Sequence, residues 1–198
     1  MNRISHTLAI LLAIALLVGI PPAVGATYQL GSTFGHLRFT ITKWGVFQEE
    51  GIFRDVSGTL DFDPKKPESA RVDVVVKSAS IDTNNSTRDR VLRSDDFFDA
   101  EKFPTLEFHS TRVSPRGEDR FDVTGALTVH GTTKTVIVSA RLLGIGRQPN
   151  VGELAGFETD FTIDRTEFGV VGSRWSGGQL LLSKNVQISV RLGGIRRE

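Results

Sequence analysis

The feature that most constrains this chain is a period of two. Leu37, Phe39 and Ile41 alternate with Arg38, Thr40 and Thr42. Leu60 and Phe62 alternate with Thr59 and Asp61, and Val72, Val74 and Val76 share a face opposite Asp73 and Lys77. Leu106 and Phe108 alternate with Glu107 and His109; Phe121, Val123, Gly125, Leu127 and Val129 alternate with Asp122, Thr124, Thr128 and His130. Val136, Val138, Ala140 and Leu142 follow, then Phe157, Thr159 and Phe161, then Val186, Ile188, Val190 and Leu192. Successive side chains of a strand point to opposite faces, so each stretch reads as a strand with one apolar face. About eight such strands predict an all-β chain.

The breaks carry turn chemistry. Asp63-Pro64-Lys65-Lys66-Pro67 cannot continue a ladder, because proline offers no N–H. Pro115 to Asp119 reads as a hairpin loop, His130-Gly131-Thr132 as a tight reversal, and Gln148 to Gly152 and Ser176-Gly177-Gly178 as longer loops. Short connections favour antiparallel neighbours. One stretch differs: Ile81 to Pro104 reads as a long connection with a short helix, in which Ser86 and Asp89 resemble a capping box and Arg88, Val91 and Leu92 follow helical spacing. Eight antiparallel strands with one apolar face fit a closed barrel or a sandwich, and alternation alone does not choose. A barrel of that size is filled by its own side chains or holds one small ligand.

The first residues predict export. Arg3 precedes an apolar run from Leu8 to Ile20, Pro21-Pro22 breaks it, and Val24-Gly25-Ala26 offers the small residues of a cleavage site. The run is shorter than the roughly 20 residues that span a bilayer. Cleavage after Ala26 would leave one domain, 27–198, with no later span. That domain has 23 Lys and Arg, the 24 of the whole chain less Arg3, against 23 Asp and Glu. A balanced chain has no long-range attraction for nucleic acid or an anionic membrane. With no cysteine, it has neither disulfides nor a thiolate metal site.

Several segments, in order and at matching spacing, resemble the YceI-like family of polyisoprenoid-binding proteins from about Tyr28 to Leu192. They are Gly51-Ile52-Phe53-Arg54-Asp55-Val56-Ser57-Gly58, Ala79 to Thr83, Arg88 to Asp99 with Phe103-Pro104, Val123 to Thr132, and Ile163 to Gly169. The resemblance implies an antiparallel, eight-stranded, lipocalin-like barrel with an internal tunnel. It also implies an isoprenoid amphiphile as ligand, a polyprenyl phosphate or an isoprenoid quinone, and a periplasmic location. Three positions depart from the family's histidines: Phe34 and Gly35 stand where a His-Ser pair is common, and Lys43 and Val91 replace two more.

The candidate tail-binding residues are apolar. Phe39, Ile41, Trp44, Phe53 and Phe62 come from the first strands, Phe97, Phe98, Phe108 and Leu127 from the middle, and Phe157 and Phe161 from near the end. Plain core is the alternative reading of any one ring. Lys43 shares a face with Leu37, Phe39 and Ile41, which turns it inward. A buried lone ammonium is costly, so Lys43 is expected at the barrel mouth, beside a carboxylate or an anionic head group, unless the strand has ended before it. Arg88 and Arg93 are read either as a clamp on the head group or as a salt-bridge network fixing the helix to the barrel. His36, His109 and His130 are too scattered for a metal motif, and no nucleophile elbow or phosphate loop is present. The expectation is therefore a carrier or store with no metal and no catalytic cofactor. A bound isoprenoid lipid or quinone is its cargo, and a homodimer or a transient contact with a membrane oxidoreductase is compatible with it. Two rivals stay open: a filled barrel that binds a protein partner, and an enzyme acting on a polyprenyl lipid.

Overall fold

The computed structural model describes residues 25–172 and 181–197. Its strands are β1 (Ala26–Lys43), β2 (Phe47–Phe53), β3 (Val56–Phe62), β4 (Arg71–Lys77) and β5 (Ile81–Asp82), followed by helix α1 (Ser86–Arg93). Then come β6 (Thr105–Pro115), β7 (Arg120–Val129), β8 (Thr132–Gln148), β9 (Gly152–Asp164) and β10 (Leu182–Arg196). Each ladder is antiparallel, and the neighbours run β10-β9-β8-β7-β6-β4-β3-β1. β1 pairs back onto β10, from Tyr28 opposite Arg196 to Phe39 opposite Ile188, which closes an eight-stranded barrel. These eight are the strands the alternation predicts. The expected leader falls on residues outside the described ones, apart from Gly25 and Ala26, and so does the Ser176-Gly177-Gly178 loop.

Two strands were hidden from the alternation. β2 pairs with the second half of β1, Leu37 opposite Phe53, while β3 pairs with its first half, Gly31 opposite Ser57. Gly51 to Gly58 is therefore no hairpin. It is the bend of one long partner of β1, kinked at Arg54-Asp55. The two-residue β5 adds to β2. The proline segment after β3, the hairpin at 116–119 and the loop at 149–151 break the ladder as expected. His130 (φ 50) and Gly131 (φ 73) form the tight reversal, both left-handed, as a two-residue hairpin turn requires.

α1 is real, but its cap differs from the expected box. The Asn85 side chain accepts from the Arg88 N–H at 3.0 Å. Asp89 instead turns into the protein, where its carboxylate accepts from the Thr83 N–H (2.9 Å) and hydroxyl (2.6 Å). That buried pair ties α1 to the end of β5. The stretch after α1 then packs Phe98 edge-on against Phe53, ring centres 5.7 Å apart.

The core lies in three connected clusters. One fills the end of the barrel around Tyr28, Leu30, Phe62 and Phe121, one surrounds Phe53 and Ile81, and one joins Phe97 to Val129, Phe168 and Val170. At the first end the inward position before Leu30 is Tyr28, 2% exposed. Its hydroxyl donates to Glu153 at 2.7 Å, and Arg196 reaches the same carboxylate at 3.3 Å. This polar plug, with Phe62 set edge-on to Phe121 and Phe157, seals that end.

Candidate ligand-binding tunnel

Above the plug the barrel is not filled. A cavity of about 590 Å³ runs from Leu30, Phe62 and Phe121 up to α1 and the β1–β2 turn. Its wall is overwhelmingly aliphatic and aromatic, because the inward positions of the eight strands carry Val, Leu, Ile and Phe. The size falls within the range of ordinary small-molecule sites, about 300–1,000 Å³.

Glycine makes room for the rings. Gly51 pairs with Phe39 across β1 and β2, and a Cβ there would sit 2.6 Å from Phe39 Cε1. Gly125 on β7 does the same under Phe108, with a would-be Cβ 2.6 Å from its Cε2. Each ring thus lies against bare backbone and leaves the space in front of it open. Inside a close-packed interior, that missing side chain is what separates a lined cavity from a filled core.

A polar group of lining residues gathers at the other end, apart from Glu107, Glu158, Thr159 and Arg165 elsewhere on the wall. Lys43 and Glu49 come from the β1–β2 hairpin, and Asn85, Thr87 and Arg88 from the start of α1. Glu49 lies between the two cations: Arg88 bonds one carboxylate oxygen, and Lys43 Nζ is 3.9 Å from the other. Arg88 also donates to the Thr83 hydroxyl and carbonyl, each at 2.8 Å. Charged groups bury more cheaply when paired and hydrogen-bonded, which is why this cluster holds together at the rim. Lys43 sits where its inward phase put it, at the mouth and beside a carboxylate. Arg88 belongs both to the mouth and to the network fixing α1. Arg93 does not reach the tunnel; its guanidinium donates to the Ile81 carbonyl at 2.6 Å.

Of the expected apolar residues, Phe39, Ile41, Phe53 and Phe62 line the cavity, as do Phe97, Phe98, Phe108, Leu127, Phe157 and Phe161. Trp44 does not, and the expectation is corrected. β1 stops at Lys43, and the left-handed Trp44 (φ 53) swings its ring outside, leaving it 54% exposed. Val91, at one departure from the family pattern, faces the cavity, whereas Phe34, at another, lies against Gly193 on the outside.

One lining residue escaped the sequence reading. Arg165, 4% exposed, spends its guanidinium on backbone: Ser183 O (2.9 Å), Val170 O (2.6 Å), Val171 O (3.0 Å) and Leu182 O (3.2 Å). Burial pulls its pKa down, and nearby Asp164 opposes that shift. None of His36, His109 and His130 lines the tunnel. His109 lies outside between Asp73 (2.7 Å) and Glu107 (3.4 Å), and the hydrogen bond to Asp73, ahead of that to Glu107, raises its pKa. Among the described residues no group of acids and histidines is arranged to hold a metal, and no helix is long and apolar enough to cross a membrane.

Comparison with known proteins agrees with this architecture. Residues 28–193 match the YceI-like domain. A UPF0312 protein of Azotobacter vinelandii is 39% identical over 169 residues, covering 84% of this chain and 88% of its own. One from Photorhabdus laumondii is 38% identical, covering 91% and 96%. Among solved structures, Burkholderia cenocepacia BcnA superposes with a TM-score of 0.73 at 26% identity, over 80% of this chain and 95% of its own. The Campylobacter jejuni YceI protein gives 0.67 at 31% identity, over 75% and 85%. A polyisoprenoid binding domain from Saccharophagus degradans, implicated in plant cell wall breakdown, shares the fold with a TM-score of 0.68 at 15% identity, over 87% and 99%.

Proposed function

The chain belongs to the YceI-like family, and from that premise we propose that it carries or stores an isoprenoid-chain amphiphile, a polyprenyl phosphate or an isoprenoid quinone, in the periplasm. The observation that carries the reading is the tunnel: overwhelmingly apolar along its wall, floored by Leu30, Phe62 and Phe121 above the buried Tyr28, and charged at its other end. An isoprenoid tail gains about 25 cal/mol for each Å² it removes from water, and such a wall takes that gain without demanding hydrogen bonds. The tail enters first, toward Phe62 and Phe121, and the head stops at the rim. There Lys43 and Arg88 present two cations around one carboxylate, Glu49, a balance that favours an anionic or electron-rich head group. That a related fold is a polyisoprenoid binding domain supports the same ligand class.

The rival readings fare less well. A filled barrel would have no such cavity. An enzyme needs a positioned acid, base or nucleophile, and the charged residues of the lining are engaged with other groups: Arg88 with Glu49 and Thr83, Glu158 with Arg141 and Arg191, Arg165 with backbone carbonyls. A quinone cargo would bring its own redox chemistry, to be exchanged with a membrane oxidoreductase.

The test is native mass spectrometry of protein purified without detergent from its own periplasm, followed by organic extraction. A discrete bound mass with isoprenoid fragments is expected, and Lys43→Met should weaken retention of a polyprenyl phosphate. A protein that stays empty when offered polyprenyl phosphates and quinones would overturn the reading.

A further inference from the structure

The turn between β1 and β2 places three large apolar side chains in water. Trp44, Val46 and Phe47 are 54%, 74% and 59% exposed. The turn is nevertheless built. Trp44 (φ 53) and Gly45 (φ 72) are both left-handed, the Val46 N–H donates to the Lys43 carbonyl at 3.2 Å, and the Trp44 N–H donates to the Leu181 carbonyl at 2.7 Å. The Trp44 and Phe47 rings meet edge-to-face, centres 6.0 Å apart, with the Lys43 ammonium 4.3 Å over the indole. A fixed backbone thus presents a fixed wedge.

Its position gives it meaning. Lys43 and Glu49, the residues flanking the wedge, line the tunnel mouth. Phe47 pairs with Lys43 and continues the inward face of β2 past the rim, so apolar surface runs from Phe39 and Ile41 inside to Phe47 outside. The other exposed large apolar residues among the described ones, Phe34, Ile137, Leu143 and Ile145, lie on β1 short of the rim and on β8.

We propose that the Trp44–Phe47 turn is a membrane-docking wedge, seating the tunnel mouth on a lipid bilayer so that the amphiphile passes between bilayer and tunnel without crossing water. The inference rests on the carrier reading above. A bilayer fits better than a protein partner because three side chains fall far short of the roughly 800 Å² per partner that a stable protein interface buries. Tryptophan suits the membrane interface, its ring apolar and its N–H polar. Lys43 and Arg88 are both engaged with Glu49 at the rim, so attachment to an uncharged bilayer comes from insertion of the apolar wedge.

The experiment uses the full mature chain, free of added amphiphile, with phosphatidylcholine vesicles. Trp175, the second of two tryptophans, is replaced by Phe so that emission reports Trp44. The protein should float with the vesicles, Trp44 emission should shift to the blue and be quenched by brominated acyl chains, and added salt should change neither. The triple variant Trp44→Ser, Val46→Ser, Phe47→Ser should keep its unfolding midpoint and lose partitioning by roughly tenfold or more. Equal flotation of the triple variant, or no flotation of the parent, would overturn the proposal. So would a Trp44 emission already blue without vesicles, which would mean that residues 173–180 or a second copy cover the wedge. Flotation is read without added amphiphile and loading separately by native mass spectrometry, so a barrel that floats but never loads lipid refutes the carrier reading alone, and one that loads lipid but never floats refutes the wedge alone.

Discussion

The plug beneath the tunnel can be interrogated one atom at a time, because Tyr28 is the only tyrosine in the chain. Its hydroxyl is buried and donates to the Glu153 carboxylate at 2.7 Å. Burial first, and then that hydrogen bond, push its pKa from 10.0 up to about 12. Each unit corresponds to about 1.4 kcal/mol, so ionising the phenol costs the folded state on the order of 2–3 kcal/mol more than the unfolded one. The hydrogen bond of the neutral phenol to the charged Glu153 is itself worth about 1.5–3 kcal/mol. The folded pKa is the raised one. The contribution is therefore complete below pH 10, where the phenol is neutral in both states, and is lost as the pH climbs through about 12. Tyrosinate absorbance should show a midpoint near 12 in the folded protein and near 10 in urea. Tyr28→Phe should cost about 2 kcal/mol at neutral pH in urea unfolding, and the gap to the parent should close at high pH. A folded-state midpoint near 10, or a gap that stays constant across the alkaline range, would refute the assignment of Tyr28 as a sealed, charge-bonded plug.

Two further changes probe the wall and the rim. Gly51→Ala forces the Phe39 ring to move by about 1 Å to regain van der Waals distance, and the open side is the tunnel. The variant should fold, within about 1–3 kcal/mol of the parent, yet hold an isoprenoid quinone less tightly, and Phe39→Leu should restore binding in the double variant; unchanged affinity in equilibrium titration would contradict this. Arg165→Met leaves one buried and three partly buried carbonyls without their donor and should cost about 3 kcal/mol in urea unfolding. Arg165→Lys should recover little of it, since one ammonium does not reproduce a planar fork.

The sequence shows the barrel where each inward face is apolar, and stops showing it where function or geometry puts something else there. β2 reads Phe47, Glu49, Gly51, Phe53 on its inner face. Glu49 is inside to meet Lys43 and Arg88, and Gly51 is inside to receive the Phe39 ring, so the alternation that exposes the other strands is erased. Trp44 misleads for the opposite reason: an aromatic residue next to an inward run reads as more wall, and nothing local announces that the chain reverses one residue earlier. Lys43 was legible because its phase and its charge together demand a mouth. The plug was not, because Tyr28 and Glu153 are 125 residues apart and meet through barrel closure alone. Arg165 looks like a surface residue in a turn, and its backbone acceptors lie on segments that only the fold brings to it.

A sleeve closed at one end has a kinetic character of its own. The same doorway serves arrival and departure, so a newcomer cannot push the resident out from behind. If the proposed carrier works through this tunnel, the resident must leave before another tail can thread, and exchange of cargo follows a first-order escape that does not quicken when competitor is added. Such a carrier would release at the pace set by what it holds, and a crowd at the entrance would make no difference.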